Sequence, residues 1–158
     1  LHSQVMTPIW PAYAVAVARR DAAGARRMFR LSVWITIVGF ALPLFAMTPF
    51  IHAVTKVWLG ANAPNIPNSL LWSMAGWTLL QLFGQMLATV LNGAGRIGWS
   101  AGLGVGLTAT TLILGPLCAS HWGAIGIVLA LGAPYALVNL TVCTWQTRLT
   151  LTAIKPAP

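Results

Sequence analysis

Long uncharged apolar runs alternate with short polar segments along this chain. Each of four runs is long enough for an α-helix to cross the hydrocarbon core of a bilayer, which takes about 20 residues. None of the four contains a charged residue. The pattern predicts an all-α, polytopic transmembrane bundle with at least four spanning helices, at about residues 31–51, 70–91, 98–118 and 122–145.

The pattern also divides the chain into three regions. Residues 1–30 are expected to hold the end of a preceding helix, broken by Pro8 and Pro11, and then a basic cytoplasmic helix from residue 12 to residue 30. Residues 31–148 form the four-helix transmembrane region, and residues 149–158 form a tail. The chain starts on an apolar segment without a basic leader, so we expect it to be a piece of a longer polypeptide.

Composition supports the membrane class. The 158 residues are 58% hydrophobic and only 6% charged, whereas about a quarter of the residues in a soluble domain are charged. The net charge of +8 does not indicate a nucleic-acid partner, because five of the nine basic residues fall in one short stretch before the first apolar run. These five residues are Arg19, Arg20, Arg26, Arg27 and Arg30.

The basic residues also predict an orientation. If the four runs alternate in direction, one side of the membrane holds the five arginines together with Arg96, Arg148 and Lys155, and the other side holds only Lys56. Eight basic residues against one is a strong positive-inside bias, which places the arginines in the cytoplasm. The five arginines are expected to anchor this topology. The open alternative is that they bind anionic lipid headgroups or a lipid pyrophosphate.

Few residues could carry catalytic chemistry. Asp21 is the only acidic residue, which argues against paired-carboxylate catalysis and predicts that the chain is not an enzyme. Cys118 and Cys143 are expected near opposite membrane faces, as free thiols. No metal site and no cofactor are expected, because the three histidines are scattered at ends or loops. They are His2, His52 and His121.

The second apolar run carries a polar stripe. Its members recur every three or four residues and so share one helix face: Thr78, Gln81, Gln85, Thr89 and Asn92. Glutamine in hydrocarbon is costly without a partner, so this face should meet other helices or water. Two interpretations stay open, namely the wall of a hydrated substrate cavity and interhelical hydrogen bonding. Arg96, in the turn that follows Asn92, is a candidate contact for an anionic cargo.

The third and fourth runs contain helix-packing and helix-bending residues. Small residues at four-residue spacing in the third run are typical of close helix packing, or of a hinge: Gly98, Gly102, Gly106 and Thr110. In the fourth run Pro134 is expected to kink the helix one turn before Asn139, which makes Asn139 a cavity candidate. Pro43 in the first run is also expected to kink its helix. For both prolines a structural and a functional interpretation of the kink stay open.

Four motifs resemble those of polysaccharide (O-antigen type) flippases, in the same order. They are residues 8–13 (PIWPAY) with the arginines up to 27, residues 57–60 (VWLG), residues 91–96 (LNGAGR) and residues 122–126 (WGAIG). The resemblance spans nearly the whole chain. It implies the C-terminal half of a transporter in the multidrug/oligosaccharidyl-lipid/polysaccharide exporter superfamily, whose members have two six-helix bundles around a central cavity.

The resemblance implies that the chain flips a lipid-linked oligosaccharide or polysaccharide precursor across the bacterial cytoplasmic (inner) membrane by alternating access. Its expected partners are membrane lipid, the lipid-linked oligosaccharide and the missing N-terminal half of the polypeptide. The alternatives are a drug or cation antiporter of the same superfamily, a membrane enzyme acting on polyprenyl phosphates, and a structural subunit without transport. The candidate cavity residues are Gln81, Gln85, Asn92, Arg96 and Asn139.

Overall fold

A computed structural model of the protein describes residues 1–60, 63–95 and 97–153, and every regular element in these ranges is helical. The described residues form eight α-helices: α1 (His2–Met6), α2 (Ile9–Ala18), α3 (Ala22–Trp34), α4 (Leu42–Met47), α5 (Ile51–Leu59), α6 (Asn68–Gly93), α7 (Ile97–Pro134) and α8 (Thr141–Ala153). A first π-helix (Ile35–Ala41) joins α3 to α4, a 3₁₀ turn (Thr48–Phe50) joins α4 to α5, and a second π-helix (Tyr135–Leu140) joins α7 to α8.

Three helical stretches within the described residues are long and apolar enough to cross a membrane. They are Ala22–Leu59, Asn68–Gly93 and Ala101–Ala153. The all-α fold with helices of membrane-spanning length is therefore confirmed. The first two stretches contain the first and second predicted spans. The last stretch contains the fourth span and residues 101–118 of the third, so the described residues have three apolar stretches where four separate spans were predicted.

The last stretch is not one straight helix. Gly123 has φ 59° and ψ −140°, a conformation that residues with a Cβ rarely adopt. A Cβ added at Gly126 would collide with the carbonyl group of Cys118 and would lie 3.1 Å from the backbone nitrogen of Ala119. Residues eight apart in a straight helix are separated by about 12 Å. The chain therefore folds back between Cys118 and Gly126, where the third predicted span ends and the fourth begins.

The basic segment is bent, where the sequence predicted one helix from residue 12 to residue 30. The chain turns between α2 and α3 at Arg20, which has φ 55°, and the carboxylate of Asp21 accepts a 2.8 Å hydrogen bond from the backbone N–H of Gly24. This bond caps the first turn of α3. Ala25 is fully buried against Tyr13 of α2, whereas all five arginines of the segment are exposed.

The two prolines of interest lie beside the π-helices. Pro43 comes two residues after the first π-helix, and Pro134 comes immediately before the second. Proline has no N–H to donate and so interrupts the α-helical hydrogen-bond ladder, and a π-helix, in which each N–H bonds to the fifth preceding carbonyl, is also a local irregularity. Pro134 itself keeps helical dihedral angles, and the only non-helical backbone inside α7 is at Gly123. The irregularity predicted at Pro134 is thus a π-helix.

Helix α6 is the centre of the bundle. It packs against α1, α2, α3, α7, α8 and both π-helices. On one side Val90 packs with Tyr13, and on another Met86, Leu87 and Leu91 surround Cys143. Both cysteines are free thiols in the structure.

Large apolar side chains cover the outside of the bundle. Trp34, Leu112 and Ile113 are 65%, 73% and 67% exposed, which suits contact with lipid tails rather than water. The glycine stripe of α7 also faces outward. A Cβ added at Gly102 or Gly106 would meet no atom within 4 Å, so within the described residues no helix makes the close approach that the spacing predicted.

Candidate functional site

A cavity of about 420 Å³ lies between α6, α7, the second π-helix and the start of α8. It contains two of the residues that the sequence singled out, Gln85 and Asn139. Its wall is otherwise apolar, aromatic or hydroxyl-bearing: Trp77, Gly84, Ala88, Gly104, Leu107, Thr108, Thr111, Leu112, Leu131, Tyr135 and Cys143.

An aromatic pair occupies one corner of this first cavity. The rings of Trp77 and Tyr135 meet edge to face, with centroids 5.2 Å apart and planes at 79°. A Cβ added at Gly84 would collide with the hydroxyl of Tyr135. Glycine at position 84 therefore allows the second π-helix to seat its tyrosine directly on α6.

The polar groups of the first cavity differ in what they already bind. The hydroxyls of Thr108 and Thr111 donate to carbonyls of their own helix, each at 2.9 Å, as threonine often does in membrane helices. The Asn139 side-chain oxygen accepts a 3.2 Å hydrogen bond from the Cys143 thiol. The side chains of Asn139 and Tyr135 also share a hydrogen bond. Since an amide has more donor and acceptor sites than a hydroxyl, Gln85 and Asn139 still keep the most hydrogen-bonding capacity for a ligand.

A second cavity, of about 310 Å³, lies next to the first along α6, against α1 and α2. Gln85 and Ala88 line both cavities, so the two share one wall on α6. The remaining lining residues of the second cavity are Ser3, Met6, Thr7, Trp10, Thr89 and Asn92. The candidate Asn92 thus faces the second cavity and not the first.

Gln85 satisfies both interpretations of the polar stripe. Its side-chain oxygen lies 3.3 Å from Nδ1 of His2, so it forms an interhelical hydrogen bond while also lining both cavities. Gln81, one turn away, is exposed like Gln85, but it lines neither cavity and has no side-chain hydrogen bond within the described part of the chain. The two glutamines that the sequence treats alike are therefore in different surroundings.

The structure adds three residues to the site that the sequence did not select. Tyr135 and Trp77 form the aromatic corner, and His2 reaches Gln85 from 83 residues away. Trp77 had a detectable signal, because it lies four residues before Gln81 on the same helix face. Nothing local to the sequence around His2 indicates its long-range contact.

The basic candidates are separate from these cavities. The five arginines of the α2–α3 segment line neither cavity, and Arg148 borders a shallow groove beside Trp145 on α8. Arg96 lies outside the described residues. The amide and aromatic side chains, rather than the cations, therefore make up the described walls.

Compared with protein-family models, with curated proteins and with solved structures, the chain matches none of them. The geometry of the cavities and the sequence motifs are thus the basis for assigning a function.

Proposed function

We propose that this chain is part of a carrier that flips a lipid-linked oligosaccharide or polysaccharide precursor across the bacterial cytoplasmic membrane by alternating access. The observation that carries the proposal is the position of Gln85. One amide on the central helix lines two neighbouring cavities, one against α7 and the second π-helix and the other against α1 and α2. A carrier alternates between conformations, and it needs a polar group that the cargo can contact in more than one of them.

The chemistry of the first cavity suits a sugar. Amide groups can donate to and accept from hydroxyls, and the faces of aromatic rings pack against the C–H groups of a sugar ring. Trp77 and Tyr135 supply the rings, and Gln85 and Asn139 supply the amides. Both cavities fall in the range of about 300–1,000 Å³ that is usual for small-ligand sites. The lipid tail of the cargo would remain in the bilayer, beside the apolar exterior of the bundle.

The proposal includes four membrane crossings. A straight helix over the 53 residues of Ala101–Ala153 would be about 80 Å long, far more than the roughly 30 Å of hydrocarbon. The reversal between Cys118 and Gly126 supports two antiparallel crossings in this stretch. Four crossings would also place Arg148 on the same side as the α2–α3 arginines, as the positive-inside bias favours.

The five exposed arginines would then lie at the inner surface of the membrane. Asp21, the only acidic residue, caps the first turn of α3 through its Oδ1 atom. With so little competing negative charge, the arginines are suited to anionic lipid headgroups or to the pyrophosphate of the cargo. This role would add to their function as a topology anchor.

The alternatives have less support from these observations. A drug or cation antiporter would be expected to use an intramembrane carboxylate, and Asp21 lies at the α2–α3 corner instead. The same position argues against an enzyme acting on polyprenyl phosphates. A purely structural subunit would have no use for two cavities that share an amide.

The full-length polypeptide in proteoliposomes provides the direct test. We expect a lipid-linked oligosaccharide with a fluorescent sugar to become accessible to an external quencher faster than in protein-free vesicles. Drug or cation efflux, measured on the same vesicles, is the matched control for the antiporter alternative. Efflux without flipping would reject the flippase proposal in favour of the antiporter.

A further inference from the structure

A chain of hydrogen bonds holds the side chain of Gln85. His2 is only 5% exposed, and its ring lies between α6 and the first π-helix. Its Nδ1 atom is 3.3 Å from Oε1 of Gln85, and its Nε2 atom is 3.1 Å from Oγ1 of Thr36, which is fully buried. The ring of Phe40 packs edge to face against the imidazole at 4.8 Å.

The hydrogen-bonding capacities of these groups fix the direction of the chain. The Gln85 oxygen can only accept, so the proton of a neutral His2 must reside on Nδ1. Nε2 is then an acceptor, and the Thr36 hydroxyl must donate to it. The Thr36 hydroxyl therefore donates to His2, and His2 donates to Gln85. This arrangement requires a single tautomer of the imidazole.

We propose that His2 is a positioning residue that holds Gln85 with its amide N–H groups directed at the cavities. Because His2 uses one lone pair of the Gln85 oxygen, the two N–H groups supply most of the hydrogen-bonding capacity that the amide keeps for a ligand. The shared wall of the two cavities thus offers donors, and it suits acceptor oxygens such as those of sugar hydroxyls. The orientation of Gln85 is independent of transport, whereas its use in cargo binding rests on the proposed function.

Nitrogen NMR tests the orientation directly. Full-length protein with ¹⁵N-labelled histidine, reconstituted in bilayers, reports which ring nitrogen carries the proton. The His2 signal is assigned by its absence in His2→Asn. We expect the Nδ1–H tautomer in the unmodified protein and loss of that preference in Gln85→Leu. An Nε2–H tautomer, or a His2 signal that Gln85→Leu leaves unchanged, would overturn the proposed chain.

A pair of isosteric variants tests the consequence for cargo. The side-chain amide of asparagine can replace the Nδ1–H donor, whereas that of glutamine reaches toward the Nε2 position. We therefore expect His2→Asn to keep the half-saturating cargo concentration close to that of the unmodified protein, and His2→Gln to raise it about tenfold, for the loss of one hydrogen bond.

Equal values for the two variants would reject the positioning role. Absence of flipping in the unmodified protein, with the Nδ1–H tautomer present, would reject the proposed function and leave the orientation of Gln85 standing. The two failures are therefore distinguishable.

Discussion

Replacing Gln85 with leucine is expected to reduce export of surface polysaccharide about tenfold or more, because one cargo hydrogen bond is lost and His2 loses its acceptor. Export would be measured in cells that depend on the full-length protein, at matched protein levels. The matched control is Gln81→Leu, the same substitution one helical turn away. Since Gln81 lines neither cavity and has no bonded partner in the described part of the chain, this variant should export normally.

The comparison between the two glutamines makes this prediction specific. Both variants remove one amide and add one apolar side chain to α6, so general effects on membrane insertion are shared. Equal losses of export would show that the whole stripe contacts cargo. Equal retention of export would show that the cavity wall at position 85 is not part of the transport path.

Replacing Gly126 with alanine is expected to destabilise the bundle by about 1–3 kcal/mol, the usual range for overpacking a filled site. The added Cβ would collide with the carbonyl group of Cys118, and a backbone obstacle cannot rotate away as a side chain can. Thermal unfolding of the purified protein in detergent micelles should show a lower midpoint.

Gly102→Ala is the control for this variant, and we expect it to leave the stability of the bundle unchanged or to raise it. A Cβ at position 102 meets nothing within 4 Å, so the substitution should be neutral or stabilise α7 by about 0.5–1 kcal/mol through its higher helix propensity. If Gly126→Ala were as stable as Gly102→Ala, the chain would not fold back closely between Cys118 and Gly126.

The helical elements were predictable because their signals are local. Length and hydropathy over about 20 residues are sufficient to identify a helix of membrane-spanning length. The described residues have three such stretches, and the third and fourth of the four predicted runs fall in the last one. The corner at Arg20 was not predictable in the same way. It depends on one non-glycine residue with positive φ, in a segment whose alanines and arginines all favour helix.

Each of the two π-helices lies beside a proline that the sequence singled out. The sequence indicated irregular helix geometry at Pro43 and Pro134. It could not distinguish a kink from a switch of the backbone hydrogen bonds from the α-helical to the π-helical pattern. This difference matters for the site. The second π-helix carries Tyr135 and Asn139, and both line the first cavity.

The site itself was predicted in part. Helical periodicity placed Gln85 and Asn92 on one face of α6, and both line a cavity. The same periodicity could not separate Gln85 from Gln81, because the difference comes from neighbouring helices. His2 was missed for the same reason, since its partners Thr36 and Gln85 are distant in sequence and are brought together only by packing.

The most direct test of the account is a map of membrane sidedness, because the first cavity lies between α6 and the two proposed crossings of the last apolar stretch. Single cysteines at positions 26, 56, 94, 120 and 148 would be introduced into full-length protein in which Cys118 and Cys143 are replaced by alanine. A membrane-impermeant maleimide applied to intact cells should label positions 56 and 120, and should reach 26, 94 and 148 only after permeabilisation. Labelling of positions 56 and 94 from the same side, or of position 148 from outside, would contradict the four-crossing bundle.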